Sequence, residues 1–206
     1  MKRIEIHPVN PQPRLIRQVA EQFQTGARGA LPTDASYVLA CHLEDRTAVD
    51  RMRQLRGIDE KHLLTLLCRD LSELSQYAQV DNRQFRFLKE WTPGAYTFIL
   101  PATREVPRRL MHPSRKTVGL RVPEAPIVQA LLAELGVPLL CASLILPGDE
   151  DPLSDPDDIE DRIGKRIDLL VDGGAGQLEA TSVIDVTGDE PVIQRVGLGP
   201  VEAMLR

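Results

Sequence analysis

The residues whose chemistry is easiest to interpret in this chain are its clustered arginines and lysines. Between positions 104 and 121 a single acid, Glu105, interrupts a series of basic residues, and a second basic group surrounds Arg56. Guanidinium and ammonium groups bind phosphate through charge-assisted hydrogen bonds, whereas the alternative is a solvated helix face and loop. The first group consists of Arg104, Arg108, Arg109, Arg115, Lys116 and Arg121.

The charge of the whole chain limits the partners of these clusters. The 206 residues carry a net charge of -5, with 42% hydrophobic and 27% charged residues. This composition excludes a uniformly basic nucleic-acid coat, a disordered chain and a fibre. Because acids are concentrated between Asp149 and Asp161, a local basic surface remains compatible with the negative total.

Other kinds of active site have no counterpart in the sequence. The four histidines lack the spacing of metal ligands, and the three cysteines stand singly. Glycine-rich phosphate loops and nucleophile elbows do not occur. Ser143 lies inside an apolar segment, where core packing is the plain interpretation. The sequence therefore predicts no metal site, no catalytic side chain and no tightly bound cofactor.

Helices and strands that could position the basic groups follow from apolar periodicity and capping residues. Helices are predicted at residues 15–23, after Asp45, after Asp70, after Asp81, at 126–135 and at 155–163. Strands are predicted at 38–41, 63–68, 96–100, 117–122, 137–146, 167–171, 182–186 and 191–196.

This order of elements predicts a fold class. Helices alternate with strands early in the chain and strands cluster late, which favours an α/β fold with a mixed sheet over an all-parallel one. We expect a single domain over residues 1–206. The start has no apolar signal region, and no apolar run approaches the roughly 20 residues of a membrane span. We therefore expect a cytoplasmic protein without a membrane partner.

A series of motifs resembles the YrdC/YciO family, the threonylcarbamoyl-AMP synthase superfamily. The motifs occur in the family's order and cover nearly the whole chain. The likeness is greatest to the YciO branch, through residues 68–74 and 106–110. The main motifs are PTDASYVL at 32–39, QLR at 54–56, TPGAYT at 92–97, LRVP at 120–123, CAS at 141–143, TSVID at 181–185 and RVG at 195–197.

The resemblance implies a fold and a chemistry. The fold would be a twisted open mixed sheet with helices packed on it and a basic concave cavity. The family's synthases join L-threonine, bicarbonate and ATP into threonylcarbamoyl-AMP and pyrophosphate, which feeds a tRNA modification. Family members are also regarded as binders of double-stranded RNA. Such a reaction needs no protein nucleophile, because the protein has only to position anions and stabilise phosphate charge.

The resemblance also assigns residues to nucleotide and substrate binding. Each has a structural alternative, and for Arg121 an internal salt bridge is as good an explanation as an anionic substrate. We expect Arg56 and Arg121 to face one cleft with Thr33 and Ser143. The implied nucleotide- and substrate-binding residues are Thr33, Arg56, Lys61, Arg121, Ser143, Ser182 and Arg195.

Two departures from the family pattern affect the predicted activity. Gln54 stands where synthases have a lysine, and Ser143-Leu144-Ile145 replaces Ser-Ala-Asn. We expect both changes to border the nucleotide. The predicted function is therefore a YciO-like protein that binds nucleotide and RNA, with weak or altered synthase activity. The alternatives are a genuine synthase and a non-catalytic module for double-stranded RNA.

The partners follow from that prediction. They are a nucleotide, with ATP as a substrate, L-threonine and bicarbonate, and tRNA or another double-stranded RNA. The predicted RNA-binding residues are Arg104, Arg108, Arg109, Arg115 and Lys116.

Overall fold

Ten β-strands form one continuous sheet in the computed structural model, which describes residues 1–205. Seven of the eight strands expected between residues 38 and 196 agree closely with the observed bounds. The strands are β1 (Lys2–Glu5), β2 (Gly29–Leu31), β3 (Val38–His42), β4 (Thr65–Leu67), β5 (Tyr96–Pro101), β6 (Thr117–Arg121), β7 (Leu139–Ser143), β8 (Leu169–Asp172), β9 (Ser182–Asp185) and β10 (Val192–Arg195).

Six α-helices accompany the sheet within the described residues. Asp45 and Asp70 each accept a hydrogen bond from a backbone N–H three residues later, and Asp81 forms a capping box with Gln84. These caps explain why the predicted helix starts are confirmed. The helices are α1 (Pro13–Gln24), α2 (Arg46–Arg56), α3 (Leu71–Tyr77), α4 (Asn82–Trp91), α5 (Pro126–Leu135) and α6 (Pro156–Ile163).

The sheet is mixed, as the sequence predicted. Its strand order is β1-β8-β2-β3-β7-β4-β6-β5-β9-β10. Four neighbouring pairs are parallel, namely β1 with β8, β8 with β2, β4 with β6, and β5 with β9; the other neighbours are antiparallel. The α/β fold class and the mixed sheet are therefore confirmed.

The two faces of the sheet are covered differently. On one face α2, α3, α4 and α6 pack against a core that extends across the sheet from β8 to β9. On the other face α1 and α5 pack mainly over β1, β2, β3, β7 and β8. Alternation along β6 puts Val118 and Leu120 into the first core, so Gly119 projects from the second face. The part of the second face around Gly119 is not covered by α1 or α5, which leaves room for a cavity.

Three strands differ from the sequence-based expectation. The short strands β1 and β2 were not predicted, because three or four residues give too little alternation to recognise. The apolar run at 137–146 contains only a five-residue strand, β7. Leu144 and Leu146 lie after its end and are buried in the core without extending the strand. No helix in residues 1–205 is long and apolar enough to cross a membrane.

Candidate functional site

A cavity of about 360 Å³ lies on the open half of the second face. Its floor carries small and hydroxyl side chains, including Thr65 of β4 and Thr97 of β5. A methyl group on Gly119 would lie 2.9 Å from the Thr65 Oγ1 and 3.3 Å from the Thr97 Cγ2. Glycine in this strand therefore keeps the floor low, which allows a ligand to approach the backbone.

The rim of this cavity is basic. None of the lining residues that the structure describes is an aspartate or a glutamate. A concave surface with charge of one sign concentrates ions of the opposite sign. The cationic or titratable residues of the lining are Lys61, His62, His112, Arg115 and Arg195.

Arg56 lies beside this rim at the end of α2. Gly57 ends the helix in the left-handed conformation, and the Arg56 side chain is 9% exposed. Its Nε is buried and has no hydrogen-bond partner among residues 1–205, where the structure also records no ion pair for it. Burial, and then the charge of Arg195, lower the pKa of the Arg56 guanidinium. A cation in this state favours an anionic ligand.

Arg195 is held in place by the strand next to its own. Its Nε and Nη2 donate to the backbone carbonyl of Thr181, at 3.1 and 2.8 Å. The Thr181 hydroxyl in turn shares a 2.8 Å hydrogen bond with the Thr97 hydroxyl. Burial lowers the pKa of the Arg195 guanidinium. The cavity wall thus contains a preoriented cation whose carbonyl contact leaves its charge uncompensated.

Arg121 does not belong to the same cleft as Arg56. It is 3% exposed and forms a salt bridge with Asp34, and it donates to the Thr33 Oγ1 at 3.0 Å. The expectation that Arg56, Arg121, Thr33 and Ser143 share one cleft is therefore wrong. Sequence patterns gave no reason to pair Arg121 with Asp34, because the two residues meet only through the order of strands.

Thr33 is fully engaged by its own turn and by Arg121. Its hydroxyl donates to the Ser36 carbonyl at 2.7 Å and accepts from the Ala35 N–H at 3.0 Å. It lines a separate cavity of about 170 Å³ with Asp34 and the glycine-rich segment 173–176. The Thr33 hydroxyl is therefore satisfied within the fold, which is the structural alternative to a role in substrate binding.

Three further residues that the sequence assigned to nucleotide and substrate binding differ in where they lie. Lys61 and Ser143 line the basic cavity, Lys61 as an exposed side chain. Ser182 is fully buried, donates to the Gly199 carbonyl at 2.6 Å and accepts from the Gly197 N–H at 2.9 Å. The core hydroxyl, its structural alternative, therefore accounts for the placement of Ser182.

The two departures from the family pattern, at positions 54 and 145, also lie in different places in the structure. Gln54 and Arg56 are two residues apart on α2, which places them on nearly opposite sides of the helix. Gln54 lines a different surface pocket, so the expectation that it borders the nucleotide side of the cavity is wrong. Ile145 is half-buried, and its N–H donates to the carbonyl of Ser143.

The five predicted RNA-binding residues are all exposed, but they do not form one surface. Arg104, Arg108 and Lys116 line a groove of about 790 Å³, whereas Arg115 lines the basic cavity. Arg109 donates to the Leu43 carbonyl at 2.9 Å. Sequence adjacency therefore overstated the size of the cluster.

The sequence analysis missed the two histidines of the cavity. His62 belonged to the basic group around Arg56 but was assigned no binding role, and His112 stood apart without a ligand pattern. Burial, and then the charges of Arg56, Arg53 and Arg195, lower the pKa of His62. The His112 Nδ1 accepts from the N–H groups of Ser114 and Arg115, at 3.3 and 3.1 Å.

Comparison with known proteins gives consistent relatives. Residues 21–197 match the family model Sua5_yciO_yrdC, described as telomere recombination. The uncharacterized protein YciO of Escherichia coli K12 is 52% identical over 200 residues, which is 97% of each chain. A threonylcarbamoyl-AMP synthase of Halorhodospira halophila is 30% identical over 178 residues, covering 86% of this chain and 92% of that one.

Solved structures extend the likeness to the fold. The crystal structure of E. coli YciO aligns with a TM-score of 0.96 at 50% identity over 98% of both chains. Pyrococcus abyssi Sua5 complexed with L-threonine aligns with a TM-score of 0.90 at 25% identity, over 99% of this chain and 60% of that one. From its cavity-bearing mixed sheet, its matched residues and these relatives, the chain is a member of the Sua5/YciO/YrdC family.

Proposed function

We propose that the protein binds a nucleoside phosphate in the basic cavity and retains weak or altered threonylcarbamoyl-AMP synthase chemistry. The observation that carries this proposal is the buried guanidinium of Arg56, which has no carboxylate partner among residues 1–205 and lies beside the oriented Arg195. Two such cations need a compensating anion, and a phosphate accepts bidentate hydrogen bonds from guanidinium groups.

The related synthases indicate which nucleotide chemistry to test. In that reaction the threonine amine and bicarbonate lose water to form a carbamate. A carbamate oxygen then attacks the α-phosphate of ATP, and the bond to the β-phosphate breaks to release pyrophosphate. Here Arg56 and Arg195 would bind the phosphates, and Lys61 and Ser143 would contact the nucleotide or L-threonine.

The replacement of the family's asparagine by Ile145 is the basis for the reduced activity in this proposal. Leu144 is fully buried, and Ile145 takes the place of an amide that would supply one donor and one acceptor. A preoriented polar contact on a developing charge contributes about 3 kcal/mol, or roughly two orders of magnitude in rate.

The proposal is tested by calorimetric titration with AMP and ATP, together with pyrophosphate release from ATP, threonine and bicarbonate. We expect saturable nucleotide binding with turnover far below that of a family synthase assayed in parallel. Turnover equal to that synthase would replace the proposal with a genuine synthase. Absence of binding to either nucleotide at millimolar concentration would overturn it.

The pH dependence of AMP affinity should report on His62. Because the pKa of His62 is lowered in the free protein, a bound anion raises it again, and affinity should increase as pH falls from 7.5 to 5.5. The charged neighbours are Arg53, Arg56, Arg195 and Asp59. We expect the ratio of wild-type to His62→Gln affinity to rise as the pH falls, because only the wild-type side chain can take up a proton beside the bound anion.

Taking this ratio removes the titration of the ligand, whose phosphate has a second pKa of about 6. His112 also lines the cavity and is present in both proteins. A ratio that stays constant across the range would show that His62 does not face the bound anion.

A second candidate function is binding of double-stranded RNA along the groove of Arg104, Arg108 and Lys116. The groove is favoured by its volume of about 790 Å³ and by three cations without an ion pair among residues 1–205. Arg109 does not line this groove, and its guanidinium donates to the Leu43 carbonyl.

The salt dependence of RNA affinity tests this groove. Replacing Arg104 and Arg108 by glutamine should reduce the slope of log affinity against log salt by about 2, since each lost phosphate contact contributes about 0.9. A 20-base-pair RNA duplex serves as the probe. The matched control replaces Arg14 and Arg17, two exposed arginines of α1, and should leave the slope unchanged. Equal slopes in both variants would remove the groove from RNA binding.

A further inference from the structure

A second basic concavity lies on the other side of α2 from Arg56. It has a volume of about 230 Å³ and is formed by three separate segments: the turn before β2, the C-terminal half of α2 and the turn after α6. We call it the α2–α6 pocket. Its lining residues are Arg28, Arg51, Gln54, Leu55, Lys165 and Arg166.

The charges of this pocket are only partly compensated. Asp168 neutralises Arg28, which donates to both of its carboxylate oxygens, at 3.0 and 3.2 Å. The backbone N–H of Arg28 also donates to Asp168, at 2.9 Å. The charge of Arg51 contributes to the lowered pKa of Asp168, after the contacts with Arg28. Arg51, Lys165 and Arg166 form no ion pair within the described residues.

The helix dipole does not account for this arrangement. A cation in the last turn of a helix stabilises that helix by about 0.3–1 kcal/mol, and it needs no second helix to do so. Here three cations from α2 and the turn after α6, none of them in an ion pair within residues 1–205, surround one concavity together with the donor amide of Gln54. Arg51, Lys165 and Arg166 are exposed, and no aspartate or glutamate lines the concavity within the described residues, so it attracts anions from solution.

The size of the pocket restricts the anion. Pockets that enclose drug-sized ligands have volumes of about 300–1,000 Å³. The α2–α6 pocket is smaller, so it suits a phosphoryl group better than a whole nucleotide. We propose that the α2–α6 pocket binds a phosphoryl anion that carries at least two negative charges, either free pyrophosphate or adjacent phosphates of an RNA backbone. This site does not depend on the function proposed for the basic cavity.

The pocket can be tested by nuclear magnetic resonance with pyrophosphate as the probe. The side-chain amide of Gln54 and the backbone amides of Lys165 and Arg166 report from the pocket itself. We expect saturable shifts of these signals in the wild-type chain. In the variant Arg51→Gln/Arg166→Gln the affinity at the remaining reporters should fall at least tenfold, since each charged hydrogen bond lost contributes that order.

Two controls separate this site from others. Arg14→Gln/Arg17→Gln makes the same charge change on α1 and should preserve the shifts. Arg56→Gln alters the basic cavity and should also preserve them, so failure of one site is distinguishable from failure of the other. A pyrophosphate concentration of 10 mM is about tenfold above a millimolar dissociation constant. Absence of shifts at this concentration would overturn the proposal. Shifts that persist unchanged in Arg51→Gln/Arg166→Gln would do the same.

Titration with an RNA duplex distinguishes the two sources of phosphate. If RNA shifts the same amides and Arg51→Gln/Arg166→Gln lowers the salt slope by about 2, the ligand is the nucleic-acid backbone. If pyrophosphate shifts them and the RNA slope is unchanged, the ligand is a free phosphoryl anion.

Discussion

Replacing Asp34 by alanine should lower the free energy of unfolding by about 3–5 kcal/mol, the cost of leaving one partner of a buried ion pair alone. Arg121 is 3% exposed, and its salt bridge is with Asp34. The other Asp34 oxygen accepts the N–H of Glu124 at 3.0 Å, and this contact is also lost. Urea denaturation measures the change as a shift of midpoint at constant slope.

The exposed ion pair of Asp149 with Arg162 provides the control. Its nitrogen–oxygen distance is 2.7 Å, but solvent screens it, so Asp149→Ala should leave the unfolding midpoint nearly unchanged. The double variant Asp34→Leu/Arg121→Met should recover much of the loss, because an apolar pair needs no compensating charge. If Asp34→Ala destabilises the chain no more than Asp149→Ala, Arg121 is not isolated from water.

Arg56→Gln should weaken AMP binding by about 10- to 100-fold, since a hydrogen bond to a charged group contributes about 1.5–3 kcal/mol. The same change should raise the thermal midpoint of the ligand-free protein. The reason is that the pKa of Arg56 is lowered in the folded protein. The charged guanidinium is therefore less stable in the folded protein than in the unfolded chain. At neutral pH the Arg56 side chain is protonated in the folded and in the unfolded chain. The cost of burying its charge is therefore fully present, and it lowers the free energy of unfolding.

Opposite effects on binding and on stability distinguish a ligand site from a structural residue. The matched control is Arg46→Gln, an exposed arginine at the start of the same helix, which should change neither quantity appreciably. Thermal midpoints are compared without ligand, because bound nucleotide itself raises them. A less stable Arg56→Gln protein with intact AMP affinity would assign Arg56 to the fold and not to the ligand.

The sequence determined the helices and most of the sheet, because their signals are local. Asp45, Asp70 and Asp81 cap helices through side chains that reach N–H groups three residues away. Gly136 ends α5 in the left-handed conformation that glycine adopts at low cost. The strands β1 and β2 escaped notice because three or four residues show too little alternation to be recognised.

The sequence also identified the residue types of the cavity, but not their grouping. Clustered basic residues indicated phosphate binding, and family motifs named Arg56, Lys61, Ser143 and Arg195, which do lie in or beside the cavity. The split of neighbouring cations among three concavities follows from the side of α2 on which each helical residue lies and from the path of the loops that carry the others. That orientation depends on element bounds to within one residue, which sequence patterns do not fix.

Tertiary structure alone decided which cations are compensated. Arg121 on β6 meets Asp34 after β2, two positions whose strands are separated in the sheet by β3, β7 and β4. Within the part of the chain that the structure describes, Arg56 forms no ion pair with a carboxylate and instead lies near Arg195. A side chain's charge is a property of the sequence, but its electrostatic energy depends on distance to partners and on burial, and only the assembled sheet sets both.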